Sequence, residues 1–193
     1  MPTPTREMLI ETATDLFYQH GFHTVGLDQI LTRVGVTKTT FYNHFESKDH
    51  LVIAVLHERD KRETEEWLAI MRARGRGDPK AEILALFDLL EEWLAAPDFR
   101  GCMFLRAGSE YPSPNDPVHR AALEHGQNLL REVRTRAQRG GAANADALAS
   151  QLMLILSGAI LSRTTTGRPD QPPMARAAAG ILVEAAMGPV LTR

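Results

Sequence analysis

GVTKTTFYNHFESKDHL, residues 35–51, divides its side chains between two faces. Gly35 supplies a sharp turn, and Thr37 stands where a hydroxyl can cap the helix that follows. Phe41 and Phe45, four positions apart, share one side of that helix and can face a core. Thr37, Lys38, Thr39, Tyr42, Asn43 and His44 are left for the other side. Hydroxyls, an amide, an imidazole and an ammonium on one short helix suit the base edges and phosphates of a DNA major groove. The spacing predicts that this helix ends by Phe45, and that Ser47 caps a longer one with Asp49 near its positive end.

Working toward the N-terminus, a helix starting near Pro4 or Thr5 places Ile10, Ala13 and Phe17 on one apolar face, joined by Leu9 and Leu16. Gly21 is its natural stop, and Phe22 can fold back onto it. A second helix, Leu27 to Val34, repeats Leu27, Ile30, Leu31 and Val34 at one-turn spacing. Three short helices, the second and third linked through glycine, match a helix-turn-helix. Toward the C-terminus the long helix carries Leu51, Val52, Val55 and Leu56, then the solvated run HERDKRETEE, then Trp67, Leu68 and Met71, before a break at residues 74–79. Asp78-Pro79 opens the next helix, which Pro97 stops. A short helix is expected over residues 101–110, then one capped by Asn115 or Asp116 and running to about Arg139. Two more follow over residues 144–163 and 174–187, joined by the loop TTTGRPDQPP. Sustained strand-like alternation is absent, so the expected class is all-α, with about nine helices.

Composition bounds the function. Of 193 residues, 44% are hydrophobic and 24% charged, a soluble globular balance. Cys102 is the single cysteine, which excludes an intramolecular disulfide and fits a reducing cytosol. MPTPTREM lacks the apolar core of a signal peptide. Gln151 to Ile160 is apolar but too short to span a bilayer, and Glu184 interrupts the other apolar run. A cytoplasmic protein without a membrane partner is expected. The formal net charge is −2, and within residues 1–50 Arg6, Arg33, Lys38 and Lys48 face Glu7, Glu11, Asp15, Asp28, Glu46 and Asp49. Sequence-independent adhesion to DNA scales with phosphates neutralised, so DNA must be held through a few placed contacts. A nucleoid-coating role is disfavoured.

Residues 5–52 resemble the N-terminal domain of TetR-type (tetracycline-repressor-like) transcriptional regulators. The resemblance is carried by Phe17, Gly21, Phe22, Ile30, Gly35, Val36, Thr37, Tyr42, His44, Phe45, Lys48 and Leu51, and GCMF at residues 101–104 is similar to a recurring feature of some members. It implies a helix-turn-helix DNA-binding domain over residues 1–46 and a ligand-binding and dimerisation bundle over residues 47–193. It implies DNA contact by Thr37, Lys38, Thr39, Tyr42, Asn43, His44 and Lys48. Lys38, Thr39, Tyr42 and Asn43 would meet base edges or the adjoining backbone; Thr37, Tyr42, His44 and Lys48 would meet phosphates. Val25-Gly26 stands where relatives usually place Thr-Ser, so a hydroxyl contact to phosphate is missing unless Thr24 replaces it. The partners implied are double-stranded operator DNA, a small apolar effector and a second copy of the chain. The function implied is a ligand-released repressor on a palindromic operator, the long helix from Ser47 serving as lever. The alternative is a small-molecule binder of the same fold that has lost specific DNA binding.

The second half has two further signals. Trp67, Met71, Phe87, Leu90, Trp93, Met103, Phe104, Tyr111 and Met153 are large adaptable side chains on successive helices, individually ordinary core but together compatible with an effector cavity. The last two helices carry more apolar surface than a solvent-facing helix needs, which points to a dimer interface including Leu152, Leu156, Ile160, Ala178, Ile181 and Leu182. No histidine pair has zinc-site spacing, and no nucleophile elbow or phosphate-binding glycine loop occurs, so neither metal, cofactor nor enzymatic activity is expected.

Overall fold

The computed structural model describes residues 4–167 and 171–188, so part of the loop between the last two helices lies outside the described residues. Among the described residues the chain is all-helical, in the order α1 (Pro4–His20), α2 (Leu27–Val34), α3 (Lys38–Tyr42), α4 (Lys48–Gly75), α5 (Pro79–Ala95), α6 (Met103–Glu110), α7 (Pro117–Arg139), α8 (Ala145–Thr166) and α9 (Gln171–Met187). Side-chain caps fix most of the starts. Thr37 Oγ1 accepts from Thr40 N at 3.1 Å and Ser47 Oγ from His50 N at 3.1 Å. Asp78 Oδ1 accepts from Lys80 N at 2.9 Å, Asp116 Oδ1 from Val118 N at 2.8 Å, and Asn144 Oδ1 from Ala147 N at 3.0 Å. Each satisfies an amide that the helix itself leaves open. α3 stops at Tyr42, within the expected limit of Phe45, where the chain tightens: His44 N donates to Phe41 O, three residues back, at 2.9 Å.

The chain forms two compact units. One takes the chain up to Arg62 together with Cys102–His125; the other takes Glu63–Gly101 and the chain from Gly126 onward. The expected boundary between residues 46 and 47 does not coincide with this division. Leu51, Val52, Val55 and Leu56 at the start of α4 are fully buried in the same core as Phe17, Phe22 and Phe41, and α6 adds Met103, Phe104 and Ala107. Burial of apolar surface, not the helix-turn-helix pattern, sets the edge of the unit.

In the second unit α5, α8 and α9 pack pairwise. Phe87, Leu90, Leu94, Leu152, Leu156, Ile160, Ala179 and Val183 are buried there. α8 runs nearly as expected, 145–166 against 144–163, but its apolar stretch is longer than the run read from the sequence. The run Gln151–Ile160 lies inside a helix of 22 residues that is long and apolar enough to cross a bilayer by length and composition alone. In the fold, its Leu148, Ala149, Leu152, Leu156, Ala159 and Ile160 are withdrawn from solvent.

Candidate nucleic-acid interface

The α2–α3 turn presents the polar side chains. Gly35 caps α2 at φ 80, ψ 32, a left-handed conformation that costs a residue with Cβ about 1–2 kcal/mol. Phe41 is fully buried, which turns Lys38, Thr39, Tyr42 and Asn43 outward; Tyr42 is 55% exposed and rests edge-on against Phe41 at 5.3 Å. Thr37 is exposed as well, its hydroxyl 2.9 Å from that of Thr40, and His44 is half-buried. Lys38 Nζ lies 2.9 Å from Asp28 Oδ1 in the first turn of α2. The hydrogen bond to that carboxylate, with its charge, holds the lysine pKa above the ordinary range. Val25 is buried and Gly26 caps α2 without a side-chain hydrogen bond, so neither offers a hydroxyl at the start of α2. Thr24, the replacement considered, is exposed.

Lys48 is tied within the unit. Its Nζ donates to Phe22 O at 2.9 Å and Val25 O at 3.1 Å, two carbonyls of the α1–α2 connection. These two bonds make the ammonium a tie across the unit and leave one of its three N–H groups for the phosphate contact expected of it.

α6 clamps the same helices. Arg106 Nη1 donates to Tyr18 O at 2.9 Å and Phe17 O at 3.2 Å, closing carbonyls at the end of α1. Glu110 Oε2 accepts from His23 N at 2.7 Å. Tyr111 donates its hydroxyl to Asp49 Oδ1 at 3.1 Å, in the first turn of α4, and packs against the His23 ring at 4.6 Å. Sequence reading missed this set, because its partners lie 62–89 residues apart and no local pattern links them.

Residues 9–55 match the family described as bacterial regulatory proteins, tetR family, and residues 79–179 match the tetracyclin repressor-like C-terminal domain. The chain belongs to the TetR family. A TetR-family transcriptional regulator from Streptomyces coelicolor is similar at 30% identity, covering 96% of each chain with a TM-score of 0.83. The HTH-type transcriptional repressor NemR of Escherichia coli K12 is 28% identical over 141 residues, 72% of this chain and 70% of its own length. The transcriptional regulator AcuR of Cereibacter sphaeroides is 28% identical over 176 residues, 85% of this chain and 78% of its own. This TetR-family chain is therefore a DNA-binding transcriptional regulator, a non-enzymatic class, with an effector-binding C-terminal domain.

Within this TetR-family chain the expected cavity residues separate. Met103, Phe104 and Tyr111 belong to the core of the first unit, where they pack with α1, α2 and α4. Trp67 and Trp93 meet edge-on at 6.0 Å in the second unit, Met71, Phe87 and Leu90 are buried there, and Met153 is half-buried. The Trp pair extends to two residues that sequence reading did not select. Phe99 stands edge-on to Trp93 at 5.0 Å, and the Arg163 guanidinium lies 5.9 Å over the Phe99 ring. The expected interface also divides. Leu152, Leu156 and Ile160 are buried inside the subunit, since α8 turns that stripe toward its own core. The large apolar side chains left outside on α8 and α9 are Leu154, Leu161, Met174 and Ile181, the last 68% exposed, with Ala178 and Leu182 half-buried.

Proposed function

We propose that the chain is a cytoplasmic homodimeric repressor that holds a palindromic operator and leaves it when a small, largely apolar effector binds. The observation that carries this reading is the outward face of α3: Lys38, Thr39, Tyr42 and Asn43 stand in solvent over a buried Phe41, which a helix with no macromolecular partner does not require. Thr37 and His44 flank them as phosphate contacts. Two such helices, one per subunit, would enter successive major grooves on one face of the duplex. The repressor relative NemR supports the sign of the regulation. In the second unit the half-buried Trp67–Trp93–Phe99 group, with Arg163 beside it, supports a binding surface for a flat apolar molecule. The release step is read into the α6 clamp: a shift of α6 would carry Arg106, Glu110 and Tyr111 with it and disturb α1, the α1–α2 turn and α4 together. A coupling of about 1–3 kcal/mol gives a 5–150-fold change in DNA affinity.

Selection of bound duplexes from a random DNA pool by the purified chain tests this. The expected product is an inverted repeat whose half-sites are about one helical turn apart. Recovery of no preferred sequence across a range of salt would favour a small-molecule binder that has lost its operator. Compounds that raise the melting temperature should then lower affinity for the selected duplex.

A further inference from the structure

We propose that Asp28 positions Lys38 for reading a base and masks its charge from phosphates. The inference deepens the assignment of α3 as the DNA-reading helix and rests on it. Asp28 lies in the first turn of α2 and Lys38 opens α3, so the 2.9 Å pair spans the two helices of the helix-turn-helix on its outer surface. Both side chains are open to water, at 62% and 76%, and pairs so exposed add little to folding. The pair is therefore better explained by what the lysine does than by what holds the fold.

Lys38 is the sole cation within α3, KTTFY, and Lys48 is already engaged with the carbonyls of Phe22 and Val25. An unpaired lysine at that place would bind any phosphate within reach, because the ammonium is a flexible point charge. With one N–H directed to Asp28, the ammonium keeps two donors for an acceptor pair such as guanine O6 and N7. Shifting to a phosphate would leave the Asp28 carboxylate uncovered against the DNA backbone. Specificity is then gained by suppressing the general contact as well as by making the particular one.

Binding of the full-length chain to its selected duplex and to a scrambled duplex, titrated over salt, tests the idea with Asp28→Asn, Asp28→Glu, Lys38→Ala and the Asp28→Asn/Lys38→Ala double variant. Asp28→Asn should strengthen binding to the scrambled duplex and steepen its log–log salt slope by about 0.9, one further phosphate. The ratio of selected to scrambled affinity should fall roughly tenfold, on the scale of one base contact. Asp28→Glu, which keeps the carboxylate within reach, should restore both readouts. In the Lys38→Ala background the Asp28→Asn change should alter neither slope nor ratio. Unchanged slope and ratio in Asp28→Asn, or the same change with Lys38 absent, overturns the proposal. Undiminished selected-duplex affinity in Lys38→Ala overturns it as well, by removing Lys38 from the interface. A wild-type chain that selects no sequence is a separate result, the failure of the DNA-reading assignment itself.

Discussion

Tyr111 joins three parts of one unit through a single ring: its hydroxyl on Asp49, its face on His23 and its edge toward Phe22 at 6.3 Å. Burial, with the negative charge of Asp49 next in weight, pushes the phenol pKa well above its ordinary 10.0. The folded state thus retains a proton that the unfolded chain releases, and stability from this group is complete below about pH 10 and lost as pH rises beyond it. Tyr111→Phe removes both the hydrogen bond and the titration. At pH 8 the variant should be less stable by about 1 kcal/mol in urea unfolding, and the gap should narrow by pH 11. A gap independent of pH would remove the phenol from the linkage. Lys48 invites a second measurement. Lys48→Met should cost about 1–3 kcal/mol, since two buried carbonyls lose a charged donor, yet leave the salt slope of DNA binding unchanged. A slope smaller by about one with stability intact would return Lys48 to the phosphates, as the sequence alone suggested.

At the scale of elements, the local signals were the legible ones. Thr37, Ser47, Asp78, Asp116 and Asn144 announce helix starts because a cap and the amide it serves are two or three residues apart. The turn before α3 was equally readable. Gly35→Ala should lose about 1–2 kcal/mol to the left-handed backbone alone, since open space surrounds the missing Cβ. Thermal unfolding with an intact helical spectrum would show that cost. What packs against what was not readable. Gly75 ends α4 where a Cβ would come within 2.7 Å of the Glu82 backbone nitrogen, and Glu82 is itself buried beside Arg136, with Nε 2.9 Å from Oε2. A glutamate and an arginine read as surface until the fold brings α5 and α7 together around them. Arg136 also reaches Glu132 Oε2 at 2.7 Å, so its charge is doubly met. Glu82→Ala leaves Arg136 to the half-exposed Glu132 alone and should cost about 1–3 kcal/mol by urea unfolding, whereas a loss under about 1 kcal/mol would mean that Glu132 and water suffice for its charge. The expected cavity residues fall into both units for the same reason. Met103 and Trp67 look alike in sequence, and only the path of the chain sends one to the first unit's core and the other to a half-open aromatic group.

For the whole molecule, the proposed dimer turns on which stripe of α8 is free. Leu152, Leu156 and Ile160 repeat at helical spacing and are consumed by the subunit's own core. Leu154 and Leu161, seven positions apart with exposed Gly158 between them, form a second stripe on the same helix. Met174 and Ile181, also seven apart, do the same on α9. Helices of 22 and 17 residues, each about 10 Å wide with its side chains, offer several hundred Å². That is the order of the roughly 800 Å² per partner that a specific interface uses. Small residues, Gly158 and the alanines of α9, permit the close approach that four helices need. Leu154→Glu with Ile181→Glu should therefore give a folded monomer by analytical ultracentrifugation, with helical content and melting cooperativity retained. Affinity for an inverted repeat should then drop toward that of one half-site, because the second recognition helix is no longer held at a fixed distance. Leu156→Glu should instead unfold the second unit, as a charge placed in a core does. If Leu154→Glu/Ile181→Glu stays dimeric, the interface lies elsewhere, and if Leu156→Glu folds as a monomer, the inner stripe was the contact after all.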